Sequence, residues 1–137
     1  MSDSEKWAWW TIGVVVTTIA AYGAFLSFLG HGPARLSVFA LLALTALPTS
    51  SRRHFRGRTF DEREGGIANK AVRAGFGAFW LAFIGLVIAI GFIKGWDSTL
   101  VMPVWTLAEA LWWAAILILG VQAITTLVLF RGGSSHA

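Results

Sequence analysis

The sequence predicts an all-α fold, an integral membrane four-helix bundle with both termini on the cytoplasmic side. Three observations predict it. Hydrophobic residues make up 56% of the 137-residue chain and charged residues only 13%, about half the usual charged share. The apolar residues fall into four runs, and the basic residues crowd the segment between the second and third of them. A water-soluble single domain of this length needs more polar surface to cover its core, so the bilayer is the expected solvent. Cysteine is absent, which removes disulfides, thiolate metal sites and cysteine nucleophiles together.

A bilayer core of ~30 Å needs ~20 helical residues. The first run, 7–30, is longer than the ~7–15 residues of a signal-peptide core. Its leader "MSDSEK" carries two acids and a single Lys, so an uncleaved span is expected. The second run, 34–49, is short and holds Pro48 near its end; it tilts little, borrows flanking residues or is partly re-entrant. The third run is 71–93, with a helical extension from about residue 60, and the fourth is 106–130. Four crossings are preferred to three, which would place the two basic ends on opposite sides.

Orientation follows from Lys and Arg. With both termini inside, the inner side holds Lys6, Arg52, Arg53, Arg56, Arg58, Arg63, Lys70, Arg73 and Arg131, and only Arg35 and Lys94 fall near the outer face. The run "RRHFRGR" between two spans therefore reads as topology and as a contact for anionic lipid headgroups, not as a nucleic-acid surface. Trp7, Trp9 and Trp10 belong at the inner interface and Trp96 and Trp105 at the outer one, as aromatic belts. Trp112 and Trp113 lie deeper and read as helix packing or lipid contact.

Within the inner segment, Thr59-Phe60-Asp61-Glu62 fits a capping box. Asp61, Glu62 and Glu64 then lie near the positive end of the helix dipole. The third helix is expected to run from near Phe60 to about Lys94, a rod of ~50 Å. Gly65-Gly66 is its weak point, the place for a bend or break, since each glycine costs ~1 kcal/mol against alanine. Small residues recur at Ala68, Ala71, Gly75, Ala78, Ala82, Gly85 and Ala89, in steps of three and four. Such a seam lets membrane helices approach closely. It makes the third helix the expected central packing helix, against another helix of the chain or against the same helix of a second copy.

Glu109 is the one carboxylate inside a span, and intramembrane carboxylates are functional candidates. Thr106-Leu107-Ala108-Glu109 also fits a capping box, with Pro103 upstream. Two roles stay open: a helix cap, or a site that loads and releases a proton or cation. Gln122 is expected to bond a neighbouring helix. His31, His54 and His136 fall in an outer loop, an inner loop and the tail, which gives no metal site. No phosphate-binding glycine motif or nucleophile–base pair can be assembled, so neither an enzyme nor a cofactor is expected.

Three features together resemble a known family. The basic inner loop leads into a "DER" segment, "RTFDEREGGIANKA", with Ile67 and Lys70-Ala71 following. An aromatic-rich span, "FGAFWLAF", comes next. The last span carries the early Glu109 and ends in "LVLFRGG". In these the chain resembles small four-span prokaryotic predicted membrane proteins of unknown function with a cytoplasmic DER(E/D) motif before the third span. The likeness covers roughly the second half of the chain, the first two spans being alike only in hydropathy, and Gly65-Gly66 departs from the longer side chains expected there. It implies a multi-pass protein of a prokaryotic cytoplasmic membrane and carries no activity with it. Two functions remain in view. One is a non-enzymatic adaptor or regulator that docks a membrane-protein partner through Asp61, Glu62, Arg63, Glu64 and Lys70. The other is a small dimeric transporter or channel that uses Glu109.

Overall fold

Asp3 and Glu5 place negative charge in the first turn of helix α1, Asp3–Leu29, where the exposed N–H groups favour it. In the computed structural model, which describes residues 3–29, 33–46 and 62–134, this helix is followed by a 3-10 helix, Pro33–Ala46, and by two long α-helices, α2 (Glu62–Lys94) and α3 (Val104–Ser134). Three helices are long and apolar enough to cross a membrane: α1, α2 and α3. The apolar part of the 3-10 helix, Leu36–Thr45, is shorter.

The 3-10 winding changes how that short segment is understood. At three residues per turn its 14 residues extend over about 28 Å, whereas the same residues in an α-helix would cover about 21 Å. The burial pattern follows the period of three. Ser37, Ala40 and Ala43 are exposed, while Leu36, Phe39, Leu42 and Thr45 face inward. Ser37 and Thr45 donate their hydroxyls to the carbonyls of Ala34 and Leu42, at 2.8 and 2.7 Å, three residues back.

Helix α1 buries Ala8, Thr11, Val14, Val15, Thr18 and Tyr22, a stripe with steps of three and four. Val14, Val15 and Tyr22 pack with Val38, Phe39 and Leu42 of the 3-10 helix and with Ile116 of α3. Phe39 is fully buried, with its ring 5.5 Å from Tyr22 and 5.8 and 5.9 Å from Trp112 and Trp113. Both tryptophans thus pack on Phe39, and Trp112 also keeps 39% of its surface exposed. Nearer the start of α1, Ala8 packs with Ala123 and Leu127. The buried hydroxyls of Thr18 and Thr126 donate to the carbonyls of Val14 and Gln122, both at 2.8 Å, which satisfies them without water.

Three expectations are corrected. Helix α2 runs without interruption through Gly65 and Gly66, because Ile67 and Ala71 bury themselves just beyond the pair and hold the turn that two glycines weaken. Helix α3 begins at Val104, and the Thr106 N–H donates to the Pro103 carbonyl at 3.0 Å. Thr106 is therefore already helical and is not the cap of a box with Glu109. The central helix is α3, which packs against α1, α2 and the 3-10 helix. The small-residue seam of α2 meets α3 only at its near end. Ala71 and Gly75 are buried and Ala78 is half-buried, whereas Ala68, Ala82, Gly85 and Ala89 are exposed. At the far end α2 stops at Gly95, whose φ of 89° suits a residue without a Cβ, and whose N–H caps the Gly91 carbonyl at 3.0 Å. The capping box at Thr59, the basic residues 52–58, Pro48 and Asp61 lie outside the described residues.

Candidate functional site

The antiparallel packing of α2 on α3 gathers charge at one end of the molecule. Midway along, Gly75 sits so close to α3 that a Cβ there would lie 2.9 Å from the Ile118 carbonyl oxygen and 2.8 Å from Gln122 Cγ. The long amide side chain of Gln122 thus lies across the bare backbone of α2. From this crossing, α2 runs back to Glu62 while α3 runs on to Ser134. The two ends meet where the Arg63 guanidinium occupies the space that a Gly133 side chain would fill. The last turn of α3 carries the negative end of the helix dipole, so a cation is favoured there.

Helix α1 joins the same end. Its Trp9 ring lies under Arg131, with the guanidinium carbon 5.7 Å from the ring centroid, within cation–π range. Lys6 and Asp3 make an exposed ion pair at 3.6 Å, a contact of little energetic weight. The starts of α1 and α2 and the finish of α3 therefore share one face.

The docking residues expected from the sequence divide in two. Glu62 and Lys70 are exposed and Glu64 is half-buried, all near the start of α2, whereas Arg63, though exposed, is laid against the end of α3. The membership of Gly133, Arg131 and Trp9 in this constellation was not foreseen. Its signal is an arginine followed by two glycines in "FRGG", a helix end stripped of side chains where another cation can lie. Glu109 is remote from it. It is half-buried, in the second turn of α3 and a turn ahead of Trp112 and Trp113.

Over residues 4–131 the chain matches the family described as "Predicted membrane protein (DUF2178)". The chain belongs to the DUF2178 family. The match reaches back through α1 and the 3-10 helix, well beyond the second half of the chain in which the resemblance was read. Membership makes this a predicted membrane protein of unknown function, in keeping with its three long apolar helices. No curated protein and no solved structure matches the chain. In this DUF2178 protein the charged end carries both acidic and basic side chains, Glu62, Lys70 and Arg131 being exposed. Among the described residues, no three His, Cys, Asp or Glu side chains come together to hold a metal ion.

Proposed function

We propose that the protein is a non-enzymatic membrane module which crosses the bilayer four times, with both termini in the cytoplasm, and presents its charged end to a membrane-protein partner. The observation that carries this reading is the convergence of Glu62, Glu64 and Lys70 with the Arg63–Gly133 contact and Arg131 on one face. Arg63 serves as the internal fastener of that face, while Glu62, Glu64, Lys70 and Asp61 are its recognition residues. The segment 52–73 adds the basic charge that faces anionic headgroups.

Four crossings are supported by direction. Helices α1 and α2 start at the same end, so the chain between them returns across the molecule. The 3-10 helix runs that way: Phe39 meets Tyr22 far along α1, and five residues later the Leu44 carbonyl accepts from the Trp10 indole at 2.9 Å. The inward orientation of the charged end rests on the distribution of Lys and Arg. Where the partner's helix enters the bilayer, the exposed Ala82, Gly85 and Ala89 of α2 allow a close approach; a second copy of the chain meets the same terms.

Native mass spectrometry after gentle extraction from the source membrane tests this reading. A copurifying membrane protein seen with the wild type and lost from a Glu62→Ala, Glu64→Ala, Lys70→Ala variant is the expected result. A wild type that carries no partner, or a variant that keeps it, removes the docking role.

One observation favours a second reading. Glu109 is not a first-turn cap, and it lies half-buried a turn from the aromatic core, where a carboxylate can couple to a proton or cation as in a small dimeric transporter or channel. Ion or substrate flux in proteoliposomes, abolished by Glu109→Gln, is what that reading requires; flux that survives the substitution eliminates it.

A further inference from the structure

Helix α1 and the 3-10 helix leave an open cleft of about 370 Å³ between them, at the small end of the range for ligand sites. Its walls are Trp9, Trp10, Gly13, Leu41 and Leu44, and the polar side-chain groups on it are the Thr17 hydroxyl and the indole N–H groups of Trp9 and Trp10. The Trp10 indole N–H is already taken by the Leu44 carbonyl at 2.9 Å. A ligand with many hydrogen-bonding groups would lose its water there and gain little in exchange, so the cleft suits a hydrocarbon chain. Gly13 keeps it open, for a Cβ built on that residue meets no atom within 4 Å.

One end of the cleft is charged. The Arg131 guanidinium lies over the Trp9 ring that forms the wall there. Lys6 precedes Trp10 by one turn on the face of α1 that continues through Gly13 and Thr17. Its pairing with Asp3 is largely exposed and weak, and no acidic residue lines the cleft. A short apolar slot with two cations near its Trp9 end, beside interfacial tryptophans, has the chemistry of an anionic phospholipid.

We propose that the cleft between α1 and the 3-10 helix binds an anionic phospholipid, with an acyl chain along Gly13 and the phosphate at Arg131 and Lys6. The site shares Arg131 with the charged end of the molecule, but its apolar slot lies between α1 and the 3-10 helix and includes none of the recognition residues Glu62, Glu64 and Lys70.

The test uses the full chain, delipidated in detergent and titrated with phosphatidylglycerol or phosphatidylcholine, with lipid adducts counted by native mass spectrometry. The wild type is expected to hold one phosphatidylglycerol in preference to phosphatidylcholine. Arg131→Gln weakens that adduct about five-fold, the effect of one basic group near an anionic surface, and adding Lys6→Gln removes the preference. Gly13→Leu fills the cleft and weakens both lipids, at an unchanged unfolding temperature. Lys94→Gln, on an exposed position at the far end of α2, leaves phosphatidylglycerol binding as it was. Equal binding of the two lipids, no effect of Arg131→Gln, or an equal loss with Lys94→Gln overturns the proposal in favour of a general lipid belt. A dimer that Gly13→Leu dissociates overturns it in favour of a second copy in the cleft.

Discussion

Gly75 and Thr11 show how differently single positions are constrained in this molecule. A Cβ at Gly75 would meet a backbone oxygen of α3, which no rotamer change can move aside. Gly75→Leu is therefore expected to push α2 off α3 and cost about 1–3 kcal/mol, the usual penalty for overpacking. Gly77, two residues on, has no atom within 4 Å of its Cβ position, so Gly77→Leu is the matched substitution that leaves thermal unfolding in detergent unchanged. Thr11 is fully buried and its hydroxyl has no hydrogen-bond partner, unlike those of Thr18 and Thr126. Replacing it by a methyl group of similar shape removes a desolvated polar group for nothing lost. Thr11→Val is expected to raise the unfolding temperature, corresponding to about 1 kcal/mol; a fall would mean that the hydroxyl is bonded in the membrane. Gly75 could be read in the sequence as a member of a small-residue seam. Thr11 could not, because whether a threonine satisfies itself depends on a rotamer that packing selects.

Among the elements, the 3-10 helix was the least legible and the charged start of α2 the most. Mean hydropathy cannot distinguish windings, so 34–49 reads as a short α-span. The signal was present nonetheless in Ser37, Ala40 and Ala43, small residues at every third position that all face outward. The winding predicts a sharp contrast between neighbours. Phe39→Ala should cost about 3–5 kcal/mol, as for other fully buried aromatic residues, while Ala40→Leu, on the outward face, should cost almost nothing by thermal denaturation. At the end of α3 the same kind of contrast comes from a double-mutant cycle. Gly133→Ala improves helix propensity by about 1 kcal/mol, but in the wild type it displaces Arg63. The gain should appear in an Arg63→Ala background and be cancelled in the wild type. Equal gains in both backgrounds would show that the Arg63 contact carries no energy.

For the whole molecule, membrane residence was legible from composition, and so was the crowding of charge, because apolar runs and basic clusters survive any reasonable packing. Which helix stands at the centre was not. A seam of alanines and glycines along α2 advertises close packing over its whole length, yet only Ala71, Gly75 and Ala78 are covered. The helix that contacts all the others, α3, has no comparable stripe, since its surroundings are the aromatic side chains of Tyr22 and Phe39 and the bare backbone at Gly75. Small residues show where a helix could be approached, and the sequence does not say which partner takes up the offer. The meeting of Arg63 with Gly133 was hidden for a related reason. Both segments were singled out, but nothing along the chain links a residue at the start of one helix to the end of the next.

The 3-10 helix has a mechanical consequence. The same 14 residues could be rewound into an α-helix with no change of composition, and they would then be about 7 Å shorter. Its neighbours cannot adjust in this way, being already α-helical, and can only tilt as the bilayer thins. The 3-10 helix thus holds a reserve of length. In short-chain lipids it is expected to shift toward α-helical amide signals at isotope-labelled Ala40, turning Ala40 and Ala43 away from the lipid as the period changes from 3.0 to 3.6 residues. Identical spectra in thin and thick bilayers would mean that packing on Tyr22 and Trp113 locks the winding. A shift in thin bilayers alone would mean that the winding follows the thickness of the surrounding membrane.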